Sequence, residues 1–351
     1  MKLVGISACL PKNIAYPSAA YKRFKQFDVD RIVGNTGVKQ KREAEPGVTA
    51  TDMCIKAADQ LIEGLGWERD SIDAVVLCTT MPDYITPASS HRAQKELGLK
   101  SNCLVFDITL ACSGFTHGML IFHSLIESGL IKRGILLCGE MTTDKFRPRI
   151  ADTEYRHDLA NALLFGDAGT AIALSNEGPQ QVHAKTFGAD GNGLEAIIVP
   201  GGAARSFWTP ELFDRTPDED GDERRPIDLI LRGPQVLTFT MKRVPPMVQA
   251  LLDEAEWTRD DIDAYVPHQA NKFMIDFLAR RMKLPKDKIL MSIEEYGNTS
   301  SASIPLTMLS RGGDLLSKPT KWALMGFGVG LSWSGLLMET DEIKTMPIIE
   351  I

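Results

Sequence analysis

Three side chains in this 351-residue chain have the types and settings that nucleophilic chemistry needs. Cys112 stands in DITLACSGFTHGM, where a strand-like run gives way to SGFTHGMLIFHSLIESGL, apolar almost all round and so expected as a buried helix. A thiol at a helix amino terminus meets the positive end of the dipole and free backbone amides. These favour thiolate over thiol and can hold a developing oxyanion. The small neighbours Ala111, Ser113 and Gly114 leave room for a substrate. Cys9, Cys54, Cys78, Cys103 and Cys138 sit mostly inside apolar runs such as AVVLC and ILLC, and read as buried thiols rather than a disulfide framework.

His268 lies in DAYVPHQANKF, where Pro267 stops a strand candidate and leaves the imidazole at its carboxyl end, with Asn271 close behind. A lone histidine is more often a satisfied structural group, and His91, His117, His123, His157 and His183 take that reading. Asn298 sits in EEYGNTSSASIP, a turn dense in Gly, Asn, Ser and Thr. MGFGVGLSWSG, with Gly326, Gly328, Gly330 and Gly335, fails as a dinucleotide fingerprint: its spacing is G-x-G-x-G, and a strand-like LSWSGLLME follows instead of a helix. Glycines so close together let backbone amides approach a substrate oxygen. FGDAGTAIALS reads as a tight turn into a strand. With no zinc-like Cys/His spacing and no Walker motif, neither a metal nor a nucleotide redox cofactor is expected.

What must position these residues is an internal repeat. WERDSIDAVV from Trp67 returns as WTRDDIDAYV from Trp257, each copy after an amphipathic Ala/Leu-rich stretch and before a β-branched segment. LKSNCLVFDITLAC from Leu99 matches KLPKDKILMSIEEYGN from Lys283; setting Leu104 beside Leu290 carries Cys112 onto Asn298. A third pairing sets RGILLCGEM from Arg133 beside KWALMGFGVG from Lys321. The chain therefore reads as two α/β halves, 1–175 and 180–351, packed about a pseudo-twofold axis. Strand ends converging on that axis bring Cys112, Asn298 and the His268 turn together. Ala203–Pro226, containing TPDEDGDERRP, lacks apolar periodicity and reads as a charged surface loop.

Composition limits the function classes. Hydrophobic residues at 44% and charged residues at 24% supply a core for two domains, and a net charge of −7 argues against a general nucleic-acid binder. MKLVGISACLPKN lacks the long apolar stretch of a secretory leader, and the longest apolar run is broken by His117, His123 and Glu127. A reducing, cytoplasmic enzyme off the membrane is expected.

Cys112 in LACSG, His268 in PHQAN, Asn298 in GNTSSAS and the closing GFGVGLSWSG together resemble the thiolase superfamily, most closely 3-oxoacyl-acyl-carrier-protein synthase III. The likeness covers nearly the whole chain. It implies a five-layer αβαβα fold, a homodimer and the decarboxylating Claisen condensation that initiates fatty-acid synthesis. Carried over, Cys112 attacks an acyl-CoA thioester, and its amide and that of Gly328 form the oxyanion hole. His268 and Asn298 then hold the thioester oxygen of malonyl on an acyl carrier protein, or on CoA, as carbon dioxide leaves.

Some positions depart from that pattern. Arg31 and Asn35, in DRIVGNTG, stand where the family usually sandwiches the adenine of CoA between tryptophan and arginine. Thr86, in YITPASS, replaces a phenylalanine that caps the acyl tunnel across the dimer, which points to a longer or bulkier acyl chain. Phe273 replaces a carrier-docking arginine, although Lys272, Arg280, Arg281, Lys283, Lys286 and Lys288 lie near; they read as a docking patch or a solvated helix end. The alternative is thus a specialised condensing enzyme or acyltransferase of secondary metabolism. A papain-type protease would want a CGSCW-like signature. A 3-hydroxy-3-methylglutaryl-CoA synthase would want a glutamate in TTMPDYITP, where Asp83 is the only acid. A non-enzymatic binding role leaves nucleophile, donors and glycine turn unexplained.

Overall fold

Both copies of the repeated motif build the same corner. Ile72 and Ile262 are fully buried, and each motif runs through a short turn into a parallel strand, β2 (Ala74–Cys78) or β7 (Ala264–Pro267). In the first copy the Asp73 amide donates to the Arg133 carbonyl, and its carboxylate accepts from the Arg133 amide (3.2 Å), the Lys132 amide (2.8 Å) and Lys100 Nζ (2.7 Å). In the second, the Asp263 amide donates to the Lys321 carbonyl and its carboxylate accepts from the Lys321 amide at 2.8 Å. Arg133 lies over the Trp67 ring and Lys321 over the Trp257 ring. The helices before the motifs end alike, on Gly66 (φ 62°) and on Glu256 (φ 55°), a left-handed turn that glycine adopts without strain.

In the computed structural model, residues 1–22, 24–143, 156–217 and 223–351 are described. Residues 218–222 of the charged loop and the side chain of His157 lie outside the described residues. One sheet takes β1 (Lys2–Leu10), β2, β3 (Leu104–Ile108), β4 (Arg133–Glu140) and β5 (Ala168–Ser175) in the order β1-β5-β4-β2-β3, with two short C-terminal strands added beside β1. The other takes β6 (Val182–Ala189), β7, β8 (Thr320–Gly328) and β9 (Ser332–Thr340) in the order β6-β9-β8-β7. Strand directions match position for position, and so does the register: Ala74 pairs with Gly134 as Ala264 pairs with Trp322. The counterpart of β3 has shrunk to one bridge, Tyr265 with Ile289, two residues off the alignment of Leu104 with Leu290.

The helices that concern the site are α1 (Gln26–Thr36), α2 (Ala50–Leu65), α3 (Ser89–Glu96), α4 (Gly114–Glu127), α5 (Arg156–Leu164), α6 (Gly233–Ala255), α7 (Lys272–Met282) and α8 (Ser303–Arg311). α2 and α3 cover the outer face of the first sheet, α6 and α7 that of the second, and α4 and α8 lie between the sheets. This is the five-layer αβαβα order. α4 is buried by both sheets through Phe115, Met119, Phe122 and Ile126, which is why it is apolar almost all round. All six cysteines are buried and unlinked. The described part of the charged loop lies mostly at the surface and exposes Phe207, Trp208 and Phe213. Among the described residues, no helix is long and apolar enough to cross a membrane.

The two corner aspartates differ in how many donors they satisfy, so they should differ in worth. Asp73→Ala is expected to cost about 2–3 kcal/mol and Asp263→Ala about 1 kcal/mol, read as shifts in urea midpoint. Burial alone would raise the Asp73 carboxyl, but its bonds to Lys100 and two amides leave it below the usual range. Its contribution is therefore present above about pH 4 and lost as the pH falls through the lowered value.

Candidate active site

Cys112 is set by a sharp turn between β3 and α4. Ala111 has φ 44°, a left-handed conformation disfavoured for alanine by roughly 1–2 kcal/mol, so its surroundings must hold it. They do so from the second sheet. Ser113 Oγ meets Ser332 Oγ at 2.7 Å, and His117 Nδ1 lies 2.9 Å from both the Ser113 carbonyl and Ser334 Oγ. His117 thus has the structural role expected of it. Gly328, at the end of β8, comes so near that a Cβ there would sit 2.6 Å from Cys112 Cβ and 3.2 Å from Sγ.

His268 follows directly on β7, its amide donating to the Met325 carbonyl at 2.8 Å. Its Nδ1 lies 2.8 Å from Ser303 Oγ, and its ring meets Phe327 edge-on. The rest of PHQAN braces this turn. Gln269 donates to the Pro267 carbonyl and accepts from the Ser292 and Ile293 amides, while Asn271 caps α7 by accepting from the Met274 amide at 2.7 Å. Asn298 is tied to the first half: its amide donates to the Leu164 carbonyl, and its own carbonyl accepts from Gly166. Gly166 is required there, since a Cβ would fall 2.2 Å from the Tyr296 carbonyl oxygen. Asn298 Nδ2 donates to the Ala270 carbonyl (3.3 Å) and Oδ1 accepts from the Ser300 amide (2.9 Å).

Cys112, His268, Asn298 and Gly328 line one cavity of about 380 Å³. Its walls are mostly apolar, with Phe165, Ile197, Leu229 and Val236 among them, and its polar lining includes Thr80 and Ser300. Burial decides the charge states. It drives the His268 imidazole down to about 3, so the ring is neutral at physiological pH. Burial first, and the nearby Glu140 charge after it, push the Cys112 thiol up to about 12, against its contacts with Ser300 and with its own amide. The expectation that the helix terminus favours thiolate is therefore outweighed, because desolvating a thiolate costs more than the amides return.

Arg31, Asn35, Thr86 and Phe273 are all exposed, and none lines the cavity. Arg31 and Asn35 lie on α1, which packs against α7. Phe273 is in the first turn of α7, between Asn271 and Met274, two residues that do line the cavity, so these three positions stand near its rim. Thr86 is on a surface loop beside Ile85, itself 94% exposed. Ser300, Ser303, Thr80 and Glu140 were not singled out from the sequence. The signal available was a lone acid closing the apolar run GILLCGE, and serines two and five residues after Asn298.

Comparison with known proteins decides the family. The model described as 3-oxoacyl-[acyl-carrier-protein (ACP)] synthase III matches residues 106–191, and the one for that enzyme's C terminal matches residues 252–340. The beta-ketoacyl-[acyl-carrier-protein] synthase III of Lactococcus lactis subsp. cremoris is 32% identical over 336 residues, spanning 95% of this chain and 97% of that protein. The chain belongs to the beta-ketoacyl-acyl-carrier-protein synthase III family. A crystal structure of 3-oxoacyl-(acyl-carrier protein) synthase from Burkholderia xenovorans superposes with TM-score 0.90 at 34% identity, covering 100% of this chain and 97% of that one. The priming beta-ketosynthase of the R1128 polyketide pathway superposes with TM-score 0.80 at 28% identity, covering 97% and 96%. The chain is thus a thiolase-fold condensing enzyme.

Gly328 offers a direct test of this geometry. Gly328→Ala should leave the fold intact by circular dichroism, yet push Cys112 or the end of β8 aside and lower iodoacetamide alkylation of Cys112 by at least about tenfold. Alkylation at the native rate would show that the two backbones are not in contact.

Proposed function

We propose that this protein catalyses the decarboxylating Claisen condensation of an acyl thioester with a malonyl thioester, the step that initiates fatty-acid synthesis. The observation that carries this reading is the meeting of Cys112, His268, Asn298 and Gly328 around one apolar cavity in a chain of this family. Cys112 Sγ attacks the acyl carbon and CoA leaves, with the Cys112 and Gly328 amides holding the oxyanion. A malonyl thioester then enters. The Asn298 amide group and His268 Nε2–H donate to its thioester oxygen, so charge left by departing carbon dioxide meets preorganised dipoles in a mostly apolar site. For Nε2 to carry the proton, Nδ1 must accept, and Ser303 Oγ at 2.8 Å can supply that hydrogen bond. A neutral imidazole suits a group that donates without forming an ion pair with substrate.

The malonyl group arrives on an acyl carrier protein. Arg280, Arg281, Lys283 and Lys286 are exposed around the stacked Phe273 and Phe277, a basic and apolar face for an acidic carrier. Lys288 does not belong to that face, because its ammonium donates to the Asp260 and Ile262 carbonyls at 2.8 Å. The enzyme works as a homodimer in the cytoplasm. β3 is an edge strand able to pair with its twofold mate, the Thr86 loop is exposed for a partner's tunnel, and six unlinked thiols suit a reducing compartment. Thr86, where a phenylalanine would cap the tunnel, also favours a second reading, a primer longer or bulkier than acetyl.

Intact-mass spectrometry after incubation with short, long and branched acyl-CoAs tests the reaction. An acyl adduct is expected on the native protein and not on Cys112→Ala, with long or branched primers loading faster than acetyl on the second reading. No adduct from any acyl-CoA would overturn the CoA-primed reaction. His268→Ala and Asn298→Ala should still acylate, but condense with malonyl thioester about 10²–10³-fold more slowly.

A further inference from the structure

Glu140, the last residue of β4, is fully buried and plays no part in the reaction described so far. Its carboxylate accepts from the Thr80 amide (3.1 and 3.2 Å), from Thr80 Oγ1 (2.8 Å) and from Ser300 Oγ (3.3 Å), an environment of donors that suits the ionised form. Ser300 Oγ also lies 3.9 Å from Cys112 Sγ. Sulfur, hydroxyl and carboxylate thus form an unbroken row. Ser300 is held at φ 50°, a left-handed strain fixed by its amide donating to Asn298 Oδ1. By strand register Glu140 is the mate of Gly328, so the pseudo-twofold puts these two strand ends on either side of the nucleophile.

We propose that Glu140, acting through the Ser300 hydroxyl, receives the Cys112 thiol proton during acylation and returns it when product leaves. The inference rests on the reaction proposed above. As Sγ bonds to the acyl carbon, its proton passes to Ser300 Oγ while the Ser300 proton passes to Glu140. The acyl bond to CoA breaks, and the CoA thiolate takes a proton from solvent. In the second half, the carbon freed by loss of carbon dioxide attacks the acyl carbon, the bond to Sγ breaks, and the thiolate recovers the proton held on Glu140. His268 is badly suited to this task, since burial makes it a very weak base. The charge of Glu140 acts on the buried thiols of Cys54, Cys112 and Cys138; burial pushes Cys54 and Cys138 up, so those two stay protonated.

The test compares native protein, Glu140→Gln and Ser300→Ala, with Cys112→Ala as blank. Cys112 alkylation by iodoacetamide is followed against pH, and acylation by acyl-CoA in parallel. Internal transfer from thiol to carboxylate leaves the proton count unchanged, so the native alkylation rate should keep a component flat with pH around neutrality. Both variants should lose that component, falling tenfold per pH unit. Their acylation should drop about 100-fold near neutral pH and recover in alkali. A native rate that itself falls tenfold per unit would overturn the relay. So would Glu140→Gln reacting at the native rate or faster at neutral pH, the result expected if the carboxylate only repels a thiolate. If Glu140→Gln does not fold, Ser300→Ala, which keeps the carboxylate, decides by the same criterion. Normal alkylation with no acylation of native protein would sink the proposed reaction and leave the relay to be judged on alkylation.

Discussion

The site depends on how closely two strand ends from different halves of the chain approach one another. Gly328 lies against Cys112 with no room for a methyl group between them. That contact needs α4 to lie between the sheets at a fixed depth, and the hydroxyl pair of Ser113 and Ser332 sets it. It also needs the two sheets to share one strand order and register, which duplication supplies without separate optimisation of each half. Left-handed Ala111 and Ser300 are tolerable only inside such a frame, because their strain is small beside the packing that encloses them.

Charge in the cavity follows from the same closure. A buried, mostly apolar pocket disfavours the charged forms of imidazole and thiol, so both rest neutral. For the proposed decarboxylation this is an advantage: fixed donors act strongly in apolar surroundings, and none must reorganise as the enolate forms. For the acylation half it is an obstacle, because a nucleophile that must lose a proton is surrounded by groups reluctant to take one. A buried carboxyl group that accepts from Thr80 and Ser300, one hydroxyl away from the thiol, is the kind of group that resolves the conflict.

The sequence made much of this legible. Repetition of W-x-R-D-x-I-D-A announced two equivalent corners, and the structure repeats them down to the aspartate that accepts from the neighbouring strand. Cys112, His268 and Asn298 could be chosen because each follows a strand-like run and the repeat makes those ends converge. Glu140 and Ser300 were hidden for opposite reasons: one closes a run so apolar that it reads as core, the other sits in a turn so polar that it reads as loop. Arg31, Asn35, Thr86 and Phe273 were reached only through resemblance. All four are exposed, and an exposed residue leaves no periodic trace from which its contacts could be inferred.

Duplication also explains why there is one site and not two. Equivalent positions have diverged into complementary roles around the axis: the strand end that is Glu140 in one half is Gly328 in the other, and Cys78, the last residue of β2, is the mate of His268, which follows β7. Cys78 lies so close under Gly114 that a Cβ there would fall 2.0 Å from its sulfur, so it serves packing where its mate faces the cavity. A symmetric pair of carboxylates at the strand ends would repel each other and any oxyanion. A symmetric pair of glycines would leave the thiol with no carboxylate in reach. Physical chemistry therefore favours one small residue that admits the nucleophile and one acid that faces it, and the pseudo-twofold offers a place for each.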